Sequence, residues 1–310
     1  MKYIKNDRDK IIYDISEVNR IAGESPDMLV SEVEREFADT VRQAADSIID
    51  SGHRIVLLSG PSASGKTTTA NMLCKYIAER RIDSLTVSMD NFFKGVDHIP
   101  ILPNGKKNFD TIDAIDTETL DNCLNQLLRD GQADMPNFNF HIGKRDGYTP
   151  VRIKDNSLII AEGIHALNPK ISENIDESNI FRVYICPHGD FYIDDELVYS
   201  REQLRLTRRL IRDQAFRGAS FGVTFDMWEN VINSEKIYIT PYMDNADIQI
   251  NSVHAYEPLL YRDRFSRILS RDTECHTQLI PIIRALYPFA KIKPDLPDGS
   301  LIREFLGEDE

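Results

Sequence analysis

Residues 60 to 67 read Gly60-Pro61-Ser62-Ala63-Ser64-Gly65-Lys66-Thr67: a glycine, four residues, then glycine, lysine and threonine. A continuous apolar run, Ile55 to Leu58, stands directly before this octapeptide, and a helical pattern from Lys66 to about Arg80 follows it. Strand, glycine loop and helix in that order make a phosphate cradle. The glycines let backbone N–H groups turn inward toward phosphate oxygens, and the helix start adds a positive partial charge. The pattern assigns Gly60, Pro61, Ser62, Ala63, Ser64, Gly65, Lys66, Thr67 and Thr68 to a nucleoside triphosphate. Lys66 is placed to reach the β- and γ-phosphates, and the Thr67 hydroxyl to hold Mg²⁺. ATP and Mg²⁺ are the expected cofactors.

Further short apolar runs at Leu85–Met89, Leu158–Ala161 and Phe181–Ile185 read as strands buried on both faces. Between the second and third strands, Asp116 to Asp130 carries Leu120, Leu124, Leu127 and Leu128 on one helical face, with Gly131 as a stop. Strands alternating with helices predict an α/β fold of the P-loop NTPase type, a mostly parallel sheet flanked by helices. Ligands of such sheets sit at the carboxyl ends of the strands. Ser59-Gly60, Asp90 and Glu162 therefore share one rim, although they are distant in sequence. Asp90 follows its strand and is placed to take the proton of a hydroxyl attacking the γ-phosphate. Glu162 offers a second carboxylate, and Thr67, Glu162 and Asp90 make up the expected metal set.

Two flanks surround this unit, so that 1–50 is expected as an N-terminal helical extension, 51–253 as the P-loop domain and 254–310 as a C-terminal helical appendage. In the first, Val33, Phe37, Val41, Ala44 and Ile48 recur at steps of three and four within 29–50, an amphipathic helix. Its apolar face lies against either the following domain or a second copy of the chain, as in a homo-oligomer. The appendage has helical segments at Leu259–Ile268 and Leu279–Leu286, then a proline-rich stretch, Pro288 to Pro297.

With 37 Lys and Arg against 50 Asp and Glu, the 310-residue chain has a formal charge of −13. That balance argues against nucleic acid as a partner. Neither a signal-peptide core nor an apolar run of about 20 residues is present, so no membrane is expected and the cytoplasm is the expected location. Cys74, Cys123, Cys186 and Cys275 are too far apart for a zinc knuckle and read as small apolar residues in a reducing compartment.

Against this acidic background, six arginines (Arg201, Arg205, Arg208, Arg209, Arg212 and Arg217) fall between Ser200 and Gly218, with Glu202 and Asp213 the only acids among them. Guanidinium suits bidentate phosphate contact, and the segment reads as an Arg-rich helical lid that closes on the phosphates and excludes water. The Asn-Lys-x-Asp base reader of G-protein switches is absent from the sequence.

Five blocks in order resemble the uridine kinase and phosphoribulokinase family of P-loop small-molecule kinases, over about Arg54 to Asn251. They are Gly60–Thr68, Ser88-Met89-Asp90-Asn91-Phe92-Phe93, Asn108-Phe109-Asp110-Thr111-Ile112-Asp113-Ala114, Ile159-Ile160-Ala161-Glu162-Gly163-Ile164 and Thr207-Arg208-Arg209-Leu210-Ile211-Arg212-Asp213. The resemblance implies that Asp90 is the general base, Glu162 helps hold Mg²⁺ and Asp110 binds ribose hydroxyls. It places Arg209 at the sugar and Arg212 and Arg217 on the phosphates, with Lys66 and Arg212 beside Asp90 as catalytic residues. It also implies transfer of the ATP γ-phosphate to a small-molecule hydroxyl, first of all the 5′-hydroxyl of a nucleoside.

The base-reading segment departs from the family pattern. Where uridine–cytidine kinases carry Tyr-Asp-Phe and a later His, this chain has Phe138-Asn139-Phe140 and Gly143, and Ala219 replaces a lid arginine. Phe138 and Phe140 can still stack on a flat ring, with His141, Lys144 or Arg145 as substitute polar groups. A different acceptor, such as a sugar phosphate or pantothenate, and a nucleotide-binding regulator without turnover are the competing readings.

Overall fold

A computed structural model describes residues 3–7, 10–102, 105, 107–269 and 276–306. At its centre is a parallel sheet whose inner strands Ile55–Ser59 and Leu158–Glu162 are buried throughout because both of their faces are covered; the strand Ser84–Ser88, expected from its apolar run to be buried on both faces, lies at the sheet edge and is only partly buried. In chain order the elements are β1 (Ile4–Asp7), β2 (Lys10–Asp14), α1 (Ile15–Glu24), α2 (Pro26–Ser51), β3 (Ile55–Ser59), α3 (Lys66–Glu79) and β4 (Ser84–Ser88). Then come α4 (Thr117–Asp130), β5 (Gln132–Asn139), β6 (Lys144–Arg152), β7 (Leu158–Glu162), β8 (Ile180–Cys186), β9 (Gly189–Ile193) and β10 (Glu196–Tyr199). The chain continues through α5 (Arg201–Arg217), α6 (Phe221–Tyr238), β11 (Ile248–Asn251), α7 (Glu257–Leu269), α8 (His276–Leu286) and α9 (Arg303–Leu306). The central sheet has the order β11-β8-β3-β7-β4, with every neighbouring pair parallel. This is the P-loop α/β arrangement expected from the sequence.

Alternate residues of β3 serve two different cores. Val56 and Leu58 face the layer built from α2, α3, α5 and the C-terminal helices, while Ile55 and Leu57 face the layer of α4 and β5. The same split repeats on β7, where Leu158 and Ile160 face one way and Ile159 and Ala161 the other. Local chemistry fixes the element ends. Asp116 accepts from the Thr119 N–H at the start of α4, and Gly131 closes that helix at φ 65°. A reciprocal capping box between Ser200 and Gln203 starts α5.

The flanks are part of the same packing. α2 buries Val33, Phe37, Val41, Ala44 and Ile48. That face lies on α3 and β11 of its own chain. Residues 254–306 contribute Tyr256, Leu259, Phe265, Leu279, Phe289, Leu301 and Phe305 to the same core as Val56 and Leu58. A second sheet, β1-β2-β9-β10, has no counterpart in the sequence reading. Its β2 pairs in parallel with β9; Tyr13 stacks on Phe191 at 5.0 Å, and Phe191, Tyr199 and Phe289 meet in tilted or edge-on contacts at 5.5 to 6.0 Å. These strands are four or five residues long, and the two local hairpins β1-β2 and β9-β10 are joined only by the distant β2-β9 pairing, so no local pattern announces the sheet.

Cys74, Cys123 and Cys186 are free thiols, Cys123 buried and the other two half-buried; Cys275 lies outside the described residues. Among the described residues no helix is long and apolar enough to cross a membrane.

Candidate active site

The phosphate loop leaves β3 and turns through Ala63 at φ 60° and Gly65 at φ 92°, both left-handed, before α3 begins at Lys66. Glycine at position 60 is a matter of space. A Cβ there would stand 2.1 Å from the Ile185 carbonyl oxygen of β8. Gly60→Ala must therefore push the loop off the sheet, which costs about 1–3 kcal/mol when packing is close. The expected outcome is a lowered unfolding midpoint together with weakened ATP binding. Calorimetric titration and thermal melts check this, and unchanged ATP affinity would contradict it.

Lys66 Nζ donates to the Gly60 and Pro61 carbonyls at 2.9 and 3.1 Å, which holds the ammonium inside the loop. Burial pulls its pKa down, opposed chiefly by the nearby carboxylates of Glu162 and Asp90. Thr67 is exposed on the first turn of α3, and Ser64 Oγ is buried inside the loop without a hydrogen-bond partner among the described residues.

The two rim carboxylates arrive from neighbouring strands. Register places Glu162, the last residue of β7, beside Leu58 of β3 and Ser88 of β4. Its Oε1 accepts from Ser88 Oγ at 2.9 Å, and burial raises its pKa while Lys66 lowers it. Asp90 follows β4 in a short 3-10 turn. It remains open to solvent but sits in a recess of protein atoms, which raises its pKa against the pull of Lys66, Arg217 and Arg212. Lys66, Asp90 and Glu162 thus act on one another although 96 residues separate the first from the last. Asp90, Glu162 and the Thr67 hydroxyl offer only oxygen donors, which suit a hard cation that keeps waters and phosphate oxygens as further ligands.

Arg201, at the start of α5, is exposed; the other five arginines of the helix divide into two groups. Arg205 and Arg208 face inward. Arg205 forks onto Glu235 at 2.8 and 2.5 Å and donates to the Ser62 carbonyl; Arg208, fully buried, forks onto Glu257 at 2.8 and 2.7 Å and donates to the Ala63 carbonyl. These two side chains brace the phosphate loop from behind, with acids supplied by α6 and α7. Arg209, Arg212 and Arg217 instead fan around one carboxylate, Asp213, at 3.3, 3.0 and 3.5 Å. Arg209 also reaches Ser62 Oγ at 2.9 Å, and Arg212 and Arg217 lie within electrostatic reach of Asp90. The i,i+4 spacing of Arg209, Asp213 and Arg217 makes this fan visible in sequence; Glu235 and Glu257 carry no such signal.

Beside Asp90 lies a second recess. Asp110 is held above its ordinary value by burial, with Arg209 as its principal counter-charge and Asp90 as a repelling neighbour. Four phenylalanines border this side. Phe93 lies 6.1, 5.7 and 6.2 Å from Phe109, Phe138 and Phe140, and Phe138 lies 5.0 Å from Phe140. Phe138 is buried in this group, whereas Phe140 and His141 are exposed near the turn between β5 and β6. Of the substitute polar groups, Arg145 is engaged by Asp116 at 2.7 Å and Lys144 is exposed. His165, three residues past Glu162, was not singled out in sequence; burial pushes its pKa down to about 4, so it is neutral at ordinary pH.

The chain is 26% identical over 198 residues to uridine kinase-like protein 3 of Arabidopsis thaliana, a match covering 63% of this chain and 38% of that protein. It therefore spans well under half the length of that relative. It is 27% identical over 198 residues to a uridine kinase of Clostridium tetani, covering 63% and 85% of the two chains. A solved structure described as a "Possible Uridine Kinase from Bacillus stearothermophilus" superposes with a TM-score of 0.47 and 19% identity, over 70% of this chain and all of that one. A family model matches residues 55–257, the stretch that carries the phosphate loop, both rim carboxylates and the arginine helix, and on that match the chain belongs to the phosphoribulokinase / uridine kinase family.

Proposed function

We propose that the chain is an ATP- and Mg²⁺-dependent kinase that phosphorylates a small-molecule hydroxyl, with the 5′-hydroxyl of a nucleoside as the first candidate acceptor. The observation that carries this reading is the convergence of Lys66, Asp90 and Glu162 on one rim, faced by the arginines that Asp213 gathers. In the proposed reaction the acceptor hydroxyl passes its proton to the Asp90 carboxylate. Its oxygen forms a bond to the γ-phosphorus, and the bond to the β,γ-bridging oxygen breaks, leaving ADP with the electron pair. Thr67, Glu162 and Asp90 would hold magnesium, which would neutralise charge on the phosphate oxygens. Lys66, Arg212 and Arg217 position and neutralise the same group, which is most of what phosphoryl transfer asks of a protein.

The family motif and the charge pair of Asp110 and Arg209 support a hydroxyl-rich acceptor, and the phenylalanine border supports a flat or apolar ring beside it. The engagement of Arg145 by Asp116, which occupies one of the substitute base-reading groups, favours a second reading in which the acceptor is another hydroxyl metabolite rather than a pyrimidine nucleoside. ADP release measured over a panel of nucleosides, sugar phosphates and pantothenate, with Asp90→Asn as the blank, separates the two. Stimulation by nucleosides supports the first; stimulation by another compound alone supports the second. Silence across the panel with normal ATP binding would replace both with a nucleotide-binding regulator.

A further inference from the structure

The end of the described chain returns to the phosphate loop. The Thr68 N–H and Oγ1 both donate to Glu304 Oε2, at 3.3 and 2.6 Å, across 236 residues of sequence. Thr68 is the third residue of α3, so its N–H belongs to the first helical turn, whose donors have no partner within the helix. Such donors at the end of a phosphate loop are the ones a phosphate oxygen takes. Apolar contacts hold the segment in place. Leu301 lies over Gly65, where a Cβ would come within 2.3 Å of Leu301 Cδ1. The Phe305 ring lies 4.9 Å from the Arg208 guanidinium, and Leu301, Ile302, Phe305 and Leu306 are buried. The Glu304 charge is felt by both Lys66 and Glu162, so the carboxylate belongs to the same electrostatic site. The segment lies outside residues 55–257, the part matched by the family model.

We propose that Glu304 is a donor-site residue that competes with the triphosphate: its carboxylate holds the Thr68 donors, and ATP binds as Glu304 withdraws from them. The inference rests on the reading of this loop as an ATP site. One N–H and one O–H cannot serve two anionic acceptors at full strength, and a carboxylate left beside a phosphate repels it. The apparent ATP affinity is accordingly reduced by the fraction of molecules whose Thr68 donors are free. The C-terminal segment, docked through Leu301 and Phe305, acts as a latch on the phosphate loop. A carboxylate that only capped α3 would stabilise the helix without holding back the nucleotide.

Calorimetric titration of the full chain with Mg–ATP tests this, using the wild type, Glu304→Gln and Glu304→Ala, with nucleotide-free unfolding midpoints recorded for each. Glu304→Ala is expected to bind Mg–ATP about tenfold more tightly, the scale of one charged hydrogen bond, and Glu304→Gln more tightly by a smaller factor. In the wild type, amide exchange over residues 297–306 is expected to rise when Mg–ATP saturates the protein. Folded variants that bind Mg–ATP no more tightly than the wild type overturn the latch while leaving the ATP site standing. Unchanged exchange over 297–306 at saturation overturns it too, and this readout does not depend on any variant folding. Failure of all three proteins to bind Mg–ATP instead removes the ATP-site reading and the latch with it.

Discussion

Asp90→Asn is expected to lower kcat by roughly 10²–10⁴, the range that a positioned general base contributes, while Mg–ATP still binds. The amide keeps the shape of the side chain but cannot accept the acceptor's proton. Asp90 lies beside Lys66 and next to the recess bordered by Asp110, so its removal should act on the chemical step. The pH profile carries a second signature. Burial in the recess outweighs Lys66, Arg217 and Arg212 and holds Asp90 above the usual aspartate value. Because the ionised carboxylate is the active form, activity should be lost as the pH falls through that raised value, an acid limb above the normal aspartate range. Steady-state kinetics between mildly acidic and neutral pH check both. A variant with unaltered kcat would exclude Asp90 as the base.

The second large effect concerns stability. Arg208 and Glu257 are both fully buried, and Glu257 also accepts from the His254 N–H and the Tyr261 hydroxyl at 2.9 and 3.0 Å. Removing one partner of such a pair leaves the other charge buried without compensation, at a cost of about 3–5 kcal/mol. Arg208→Met should therefore lower the unfolding midpoint by roughly 10 °C. It should also weaken ATP binding, because the Ala63 carbonyl in the phosphate loop loses its guanidinium donor. Replacing both, Arg208→Met with Glu257→Leu, should recover only part of the stability: the uncompensated buried charge is gone, but the His254 N–H and the Tyr261 hydroxyl lose their acceptor. Chemical denaturation and ATP titration of the single and double variants provide the check. A single variant within ~0.5 kcal/mol of the wild type, the range of ordinary surface changes, would contradict it.

The parts of this architecture that were legible in sequence share one physical cause. Strands covered on both faces must be apolar throughout, so β3 and β7 announce themselves. Ligands of a parallel sheet gather where its strands end, so Asp90 and Glu162 could be placed on one rim without knowledge of a single contact. α4 shows both of its ends, through Asp116 and Gly131. What stayed hidden depends on partners far away along the chain. Within α5 only two acids accompany six arginines, which makes every arginine look available to phosphate. Glu235 and Glu257, on other helices, take Arg205 and Arg208 out of that set. Likewise, β2 meets β9 across more than 170 residues, and Glu304 reaches Thr68 across 236. A short charged segment near the end of a chain leaves no periodic trace of such a contact.

The most direct test of the central claim is a crystal structure of the full chain with Mg²⁺ and a non-hydrolysable ATP analogue. The account predicts the γ-phosphate between Lys66 Nζ and the Asp90 carboxylate, with the metal on Thr67 Oγ1 and within direct or water-mediated reach of Glu162. A triphosphate bound elsewhere, or bound in the loop with Asp90 turned away from its terminal phosphate, would contradict it.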